Sequence, residues 1–238
     1  MSVIFRFSRG AALAVAITAA VAGCGSSSGG SGDPLSGMSG KQVAAKAIAD
    51  LKSAPSFTIT GSGPYNGQTM TIGLGFKGGK DCAGTVGLGS QGNMAIVVIG
   101  GTAWVKLNAT FWKAEAGSAG AELARLLANK YFRAPTTASN VSQLANVCNV
   151  NQMANQMSVP ADTAKGAFTT VGGQRVLTLT DKAKESTMYV TDTAAPRILK
   201  VVSKQPGNSG QLMITYGLPA KITAPPASET VNGSQFGF

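Results

Sequence analysis

The chain has 238 residues, of which only 13% are charged, about half the usual share, with 31 glycines and a formal charge of +10. It contains no histidine, which removes Ser-His and Cys-His nucleophilic catalysis and histidine-ligated metal centres. Lys and Arg are scattered singly, with no basic stripe interleaved with aromatics, so nucleic acid is not an expected partner.

Arg6 and Arg9 precede a short apolar run over residues 11–22 that carries no acidic side chain, the composition of a secretory signal peptide. Val21-Ala22-Gly23-Cys24 closes the run and resembles the bacterial lipobox, whose cysteine is acylated on sulfur and becomes the mature N-terminus. A thiol is the best nucleophile available for a diacylglyceryl group, and small neighbours let membrane enzymes reach the peptide. Residues 1–23 are therefore read as signal peptide and Cys24 as the lipidation site. The expected location is the outer face of the cell membrane, with the membrane itself a partner through the N-terminal acyl chains. Without Arg6 and Arg9 the charge is +8, read as a surface that keeps the domain soluble. Residues 24–37, rich in Gly and Ser, are expected to form a flexible tether spanning roughly 20 Å.

A single domain is expected over residues 38–224. Ser39-Gly40-Lys41-Gln42 has the spacing of a capping box, which satisfies orphan amides at a helix start. Val43, Ala47, Ile48 and Leu51 then share one face, and Ser53-Ala54-Pro55 ends the helix. Such a helix needs a surface to lie on, and the next residues supply an antiparallel meander. Phe57 and Ile59 alternate with Thr58 and Thr60, after which Asn66-Gly67 provides the positive φ angles of a tight turn. Met70, Ile72, Leu74 and Phe76 follow at period two, Gly78-Gly79 turns the chain, and 82–88 reads as a strand. Residues 94–99 are apolar on both faces, as in a strand covered from both sides, and Gly100-Gly101 leads into a partner at 103–107.

Past Phe111-Trp112 the period changes. Ser118 can cap a helix in which Ala119, Leu123, Leu126 and Leu127 share a face, and Ala134-Pro135 stops any continuation. Ser139 precedes Val141, Leu144, Ala145 and Cys148 at i, i+3, i+4 and i+7, so Cys148 points inward from a second short helix, and Val150, Met153 and Met157 add a further turn. The meander resumes as strands near 167–171, 174–180, 187–191, 198–203 and 211–216. Residues 225–238 show no period and read as C-terminal coil. The fold class is α+β: a helix, about five strands, a helical insert, and about five more.

With Cys24 assigned to acylation, Cys82 and Cys148 remain as a pair in an oxidising compartment, for which a disulfide is the default. Two free buried thiols are the competing state. A zinc site built on two cysteines and no histidine is a poor one, and no cofactor or metal is expected. The ten acidic residues are dispersed and no glycine cluster sits at a strand-to-helix junction, so the protein is not expected to be an enzyme.

The lipobox, the Gly/Ser tether, an opening helix ending in Lys-Ser-Ala, the run Gly100-Gly101-Thr102-Ala103-Trp104-Val105-Lys106 and the nearby Phe111-Trp112 together resemble actinobacterial lipoproteins of the LppX/LprG type. That resemblance implies a strongly curved antiparallel half-barrel of about ten strands with helices on its concave face, related in shape to the LolA carriers. It also implies acyl chains of a lipid or lipoglycan as the filling between sheet and helices, bound or transferred there. The protein is expected to be a monomer. Cys82 and Cys148 have no counterpart that can be mapped onto those relatives. Independently, helices laid on a sheet too wide to remain flat require bending, and Gly73, Gly75, Gly84, Gly87 and Gly89 permit it. Val97, Ile99, Ala119, Leu123, Leu126 and Leu127 are the expected cavity residues, with a packed core as the alternative for each. The alternative function is a non-catalytic envelope scaffold or sensor domain without bound lipid.

Overall fold

In the computed structural model the described residues are 33–236, apart from 66, 116, 158, 184, 208 and 218–220. The expected signal peptide, Cys24 and Asn66 of the first turn lie outside them. Helix α1 (Gly40–Ser53) leads into β1 (Ser56–Tyr65), β2 (Gln68–Lys77), β3 (Asp81–Leu88), β4 (Asn93–Ile99) and β5 (Thr102–Leu107). The insert holds α2 (Ala109–Glu115), α3 (Gly120–Leu127), β6 (Tyr131–Pro135), α4 (Ser139–Ala145) and α5 (Val150–Gln156). Then come β7 (Ala164–Val171), β8 (Gln174–Asp181), β9 (Ser186–Thr191), β10 (Ile198–Ser203), β11 (Gly210–Tyr216) and a short β12 (Thr230–Asn232).

All twelve strands belong to one open sheet in the order β12-β6-β5-β4-β3-β2-β1-β11-β10-β9-β8-β7. Every pairing is antiparallel except that of β12 with β6. The two five-strand meanders meet where β1 pairs with β11, so the sheet closes the gap between distant parts of the chain at its centre.

Because paired residues project to the same side, the registers sort the inward side chains into rows across the sheet. One row runs Phe57, Phe76, Cys82, Val98 and Ala103, and in it the Phe57 and Phe76 rings stack at 4.7 Å. The next, from Leu177 and Val190 through Ile214, Ile59 and Leu74 to Ile96, is buried throughout. In β10 a bulge lies between Ile198 and Lys200, which keeps both Ile198 and Val201 on this face although they stand three residues apart.

Helix α1 lies over this core with Val43, Ala44, Ala47, Ile48 and Leu51 buried. Its start is a capping box, in which Gln42 N–H donates to Ser39 Oγ at 3.2 Å and Ser39 N–H donates to Gln42 Oε1 at 2.8 Å. Gly40 is required there by space, since a Cβ would meet the carbonyl oxygen of Thr163 at 2.3 Å. Asp50 pairs with Arg197 at 3.3 Å, and Lys52 Nζ donates to Asn155 Oδ1 at 2.7 Å, so polar contacts seat the helix at both flanks. Beneath them the Tyr216 hydroxyl is held well above its ordinary pKa, mainly by burial and further by the Asp50 carboxylate.

Three sequence expectations differ from the structure. The tether to residue 37 ends earlier, because Asp33–Gly37 is already folded. Leu35 is fully buried, its amide donates to Asp33 Oδ1 at 2.8 Å, and its carbonyl accepts from Lys165 Nζ. Residues 131–135, expected only to stop a helix, form β6; the Tyr-Phe-Arg-Ala alternation puts Phe132 and Ala134 inward. The C-terminal stretch expected as coil contributes β12, whose three residues pair with Tyr131, Phe132 and Arg133. Its prolines hid this strand, which follows Pro226 by a single turn.

Leu35→Ala is expected to lower unfolding free energy by about 2–5 kcal/mol, while the exposed Pro34→Ala changes it by less than about 0.5 kcal/mol. Urea denaturation of the two variants measures both, and equal small effects would remove residues 33–37 from the folded domain.

Candidate functional site

The inward row beyond the buried one is Leu179, Met188, Val201, Leu212, Gly61 and Ile72, continuing to Val86, Met94 and Leu107. Its two ends are buried: Leu179 at one, and Val86, Met94 and Leu107 at the other. Its middle is not, for Met188, Val201, Leu212 and Ile72 are only half-buried. An apolar row left half open beside a sealed one is the feature that singles out this part of the molecule.

The opening has a local cause in β1. Inward positions on this strand run Phe57, Ile59, Gly61, Gly63, so the large side chains give way to none halfway along. A Cβ at position 61 would lie 2.2 Å from the Gln211 carbonyl oxygen and 2.7 Å from Leu212 Cδ2, so Leu212 leans over bare backbone. Gly63 lines the hollow next to it, together with Met70 and Ile72.

Above the strands the roof is made by Ala44 of α1 and by Met157, Val159 and Pro160 between α5 and β7. Sheet and roof enclose a cavity of about 380 Å³, within the range of small-molecule sites. An adjoining hollow of about 220 Å³ shares Val201, Ser203 and Leu212 with it. The next inward row towards the rim is polar. Asp181 pairs with Ser186, and Ser186 with Ser203, which sets one carboxylate and two hydroxyls side by side across β8, β9 and β10. Asp181 is 6% exposed, and all three residues line the cavity. The site is thus an apolar slot with a hydroxyl- and carboxylate-bearing mouth.

None of the six residues expected to form a cavity lines this one. Val97 and Ile99 project to the opposite face of β4 from Ile96 and Val98. There Val97 is paired with Trp104, and Trp104 lines a surface hollow with Pro225, Ala227 and Val231. On that face of β4 Val97 is buried, while Ile99 is half-buried. In α3 the packing face is Gly120, Ala124 and Leu127, because Gly120 approaches α2 so closely that a Cβ would sit 2.7 Å from Lys113 Cα. That orientation turns Ala119 and Leu126 to solvent, Leu126 being 53% exposed, and leaves Leu123 half-buried. The glycines read as bending points at 73, 75 and 87 stand on the outward positions of their strands, whereas the inward Gly61 and Gly63 were passed over. Their period-two continuation of Phe57 and Ile59 was the available signal.

Among solved structures, LprF from Mycobacterium bovis matches with a TM-score of 0.53 and 9% identity, covering 79% of this chain and 97% of that one. The fold is LprF-like. The Mycobacterium tuberculosis lipoprotein LppX covers 77% of this chain and 98% of its own, at 10% identity and a TM-score of 0.48. At such identities the likeness is one of fold. No family model matches the chain, and no curated protein matches it in sequence.

On this LprF-like half-barrel the helix layer is attached covalently as well as by packing. Cys148, in the single 3-10 turn after α4, is bonded to Cys82 of β3 with a Cα–Cα distance of 5.4 Å, and both are buried. The bond pins the insert to the sheet at β3, several strands from the cavity on β8–β11. Replacing both cysteines by alanine is expected to cost about 4 kcal/mol of stability, from the loop-closure entropy of a 66-residue separation. Thermal unfolding in the presence and absence of reductant checks it: the parent loses stability on reduction and the double variant does not respond.

Proposed function

We propose that the protein is an exported lipoprotein, anchored by acylated Cys24, that binds or transfers an acyl-bearing lipid in the slot between the sheet and the α1/α5 roof. The observation that carries this reading is the half-open apolar row at Met188, Val201, Leu212 and Ile72, which no described side chain fills. Leaving such surface open costs the fold roughly 25 cal/mol per Å², and a bound hydrocarbon chain regains it. The LprF-like fold and the lipobox pattern at residues 21–24 support the same reading. Binding of this kind needs shape and apolar surface and no reacting group.

The slot is tested with Val201→Trp, whose ring enters the space shared by the two hollows. Lipid that co-purifies with the parent, read by native mass spectrometry, is expected to be lost from the variant while the thermal midpoint holds or rises. In a filled core the same ring would cost about 1–3 kcal/mol by overpacking. A sharply lowered midpoint in a protein whose parent carries no lipid would favour the scaffold or sensor role instead.

Anchoring is tested separately. Cys24→Ala is expected to move the protein from the detergent phase to the aqueous phase, since each buried methylene of the acyl chains contributes about 0.8 kcal/mol to membrane binding. No described helix is long and apolar enough to cross a membrane and replace it. Unchanged partitioning would overturn the lipidation of Cys24.

A further inference from the structure

We infer that the β7–β8 hairpin docks on the bilayer that anchors the protein, with Phe168 and Arg175 meeting the lipid headgroups, and that this contact sets which way the slot opens. The inference rests on the anchor at Cys24 and adds to it a contact surface and an orientation.

The first observation is where the chain enters the domain. Leu35 is buried, the Lys165 ammonium of β7 donates to the carbonyls of Leu35 and Ser36, and Gly40 abuts the Thr163 carbonyl, so residues 35–40 run beside the start of β7. Asp33 stands beside Asp192: burial holds the Asp192 carboxyl above its ordinary pKa, Arg175 opposes that shift, and the Asp33 carboxylate adds to it. Arg175 of β8 is in turn 3.4 Å from Asp192, Nε to Oδ2. Residues 25–32 are Gly and Ser alone, and the stretch 24–32 reaches about 30 Å at full extension. An acylated Cys24 therefore holds Asp33, and the hairpin beside it, close to the bilayer.

The second observation is what the hairpin presents there. From Gly166 to Thr170 every residue of β7 is exposed, and Phe168, 39% exposed, is one of two exposed large apolar side chains among the described residues. The other, Leu126, belongs to α3, which packs on α2. The Arg175 guanidinium lies 4.0 Å from the Phe168 ring centroid, and its side chain is 63% exposed although Nε faces Asp192. A ring and a cation side by side match the headgroup level of a bilayer, where the one meets the acyl boundary and the other a phosphate. Gly and Ser offer the ring no apolar cover, so the tether is not its occupant. The formal charge of +8 left without Arg6 and Arg9 adds attraction to an anionic leaflet. Because β7 is the last strand of the described sheet, the backbone groups on its outer side keep the hairpin out of the hydrocarbon, and the contact is shallow. One ring and one cation would hold a free domain weakly, but a short tether raises the effective concentration of the surface to the millimolar range. From Arg175 to Asp181 β8 runs about 20 Å, so the polar rim of the slot lies at the far end of the strand from the docked tip and opens away from the bilayer.

The experiment uses the full chain as matured in its own membrane, reconstituted into vesicles of phosphatidylcholine and phosphatidylglycerol whose acyl chains are brominated near the glycerol end to quench tryptophan. The reporters are Phe168→Trp, Leu126→Trp and Lys182→Trp, the last beside the slot rim, and all three positions are exposed. Expected is a loss of more than half of the added emission from Phe168→Trp and little from the other two. That loss is expected to be severalfold smaller when bromine sits near the chain methyl or when phosphatidylglycerol is omitted. Hydroxyl-radical labelling of the parent, which needs no variant of the hairpin, is expected to find Phe168 shielded severalfold in vesicles relative to the Cys24→Ala protein in solution. Quenching of Leu126→Trp or Lys182→Trp equal to that of Phe168→Trp would overturn the docking surface, and so would an unshielded Phe168 in protein that floats with the vesicles. Failure of the parent to float with the vesicles would overturn the anchor at Cys24, and this inference with it.

Discussion

A wide sheet must bury one face under very little helix. Twelve strands at about 4.8 Å each would span nearly 60 Å if laid flat, whereas α1, the longest described helix, is 14 residues and about 21 Å long. The only way such a layer can seal strands as far apart as β8 and β4 in one core is for the sheet to wrap around it. Curvature is thus imposed by the ratio of strand count to helix length. The row containing Ile59, Leu74 and Ile96, where cover is complete, shows what the wrap achieves.

Cover runs out one row further on. Helix α1 and the residues after α5 reach over β8–β11 only as a roof with Ala44 and Pro160 at its edges, and β1 withdraws its own side chains at Gly61 and Gly63. The slot is the remainder left when a short helix layer meets a floor without side chains. Met157 and Met188, unbranched and polarizable, line the slot from the roof and from β9, so its width is bounded by side chains that adapt readily. The disulfide stands at β3, so the insert is fixed on the side away from the slot.

Much of this was legible in the chain. The capping box at Ser39 and Gln42, the period-two runs in β1, β2 and β8–β11, and the inward Cys148 each follow from one local rule, and each is present. The order of a helix, five strands, an insert and five strands also holds. The slot was not legible, because it depends on which residues stand beside one another across strands distant in sequence. Nothing local places Leu212 against Gly61, or Ser186 between Asp181 and Ser203. The leucines of α3 misled for a related reason: their helical face was correctly periodic, but Gly120 set the rotation by allowing α2 to come close. The β6 and β12 strands escaped notice because both are short, β6 alternating over four residues before Pro135 and β12 having three residues shortly after Pro226.

The bulge in β10 makes that strand change reading frame. Before it, Ile198 looks inward; after it, Val201 and Ser203 do, and Lys200 is left outside with its ammonium 5.5 Å from the Tyr189 ring. The residue between Ile198 and Lys200 is the one without a partner on β9, whose Val190, Tyr189 and Met188 are consecutive while the residues facing them are not. A strand of the same length without the bulge would set Val201 and Ser203 on the face opposite Ile198, and the wall between the two hollows would then carry a cation where it now carries a valine. The spacing of three between Ile198 and Val201 is thus the imprint of the bulge on the sequence.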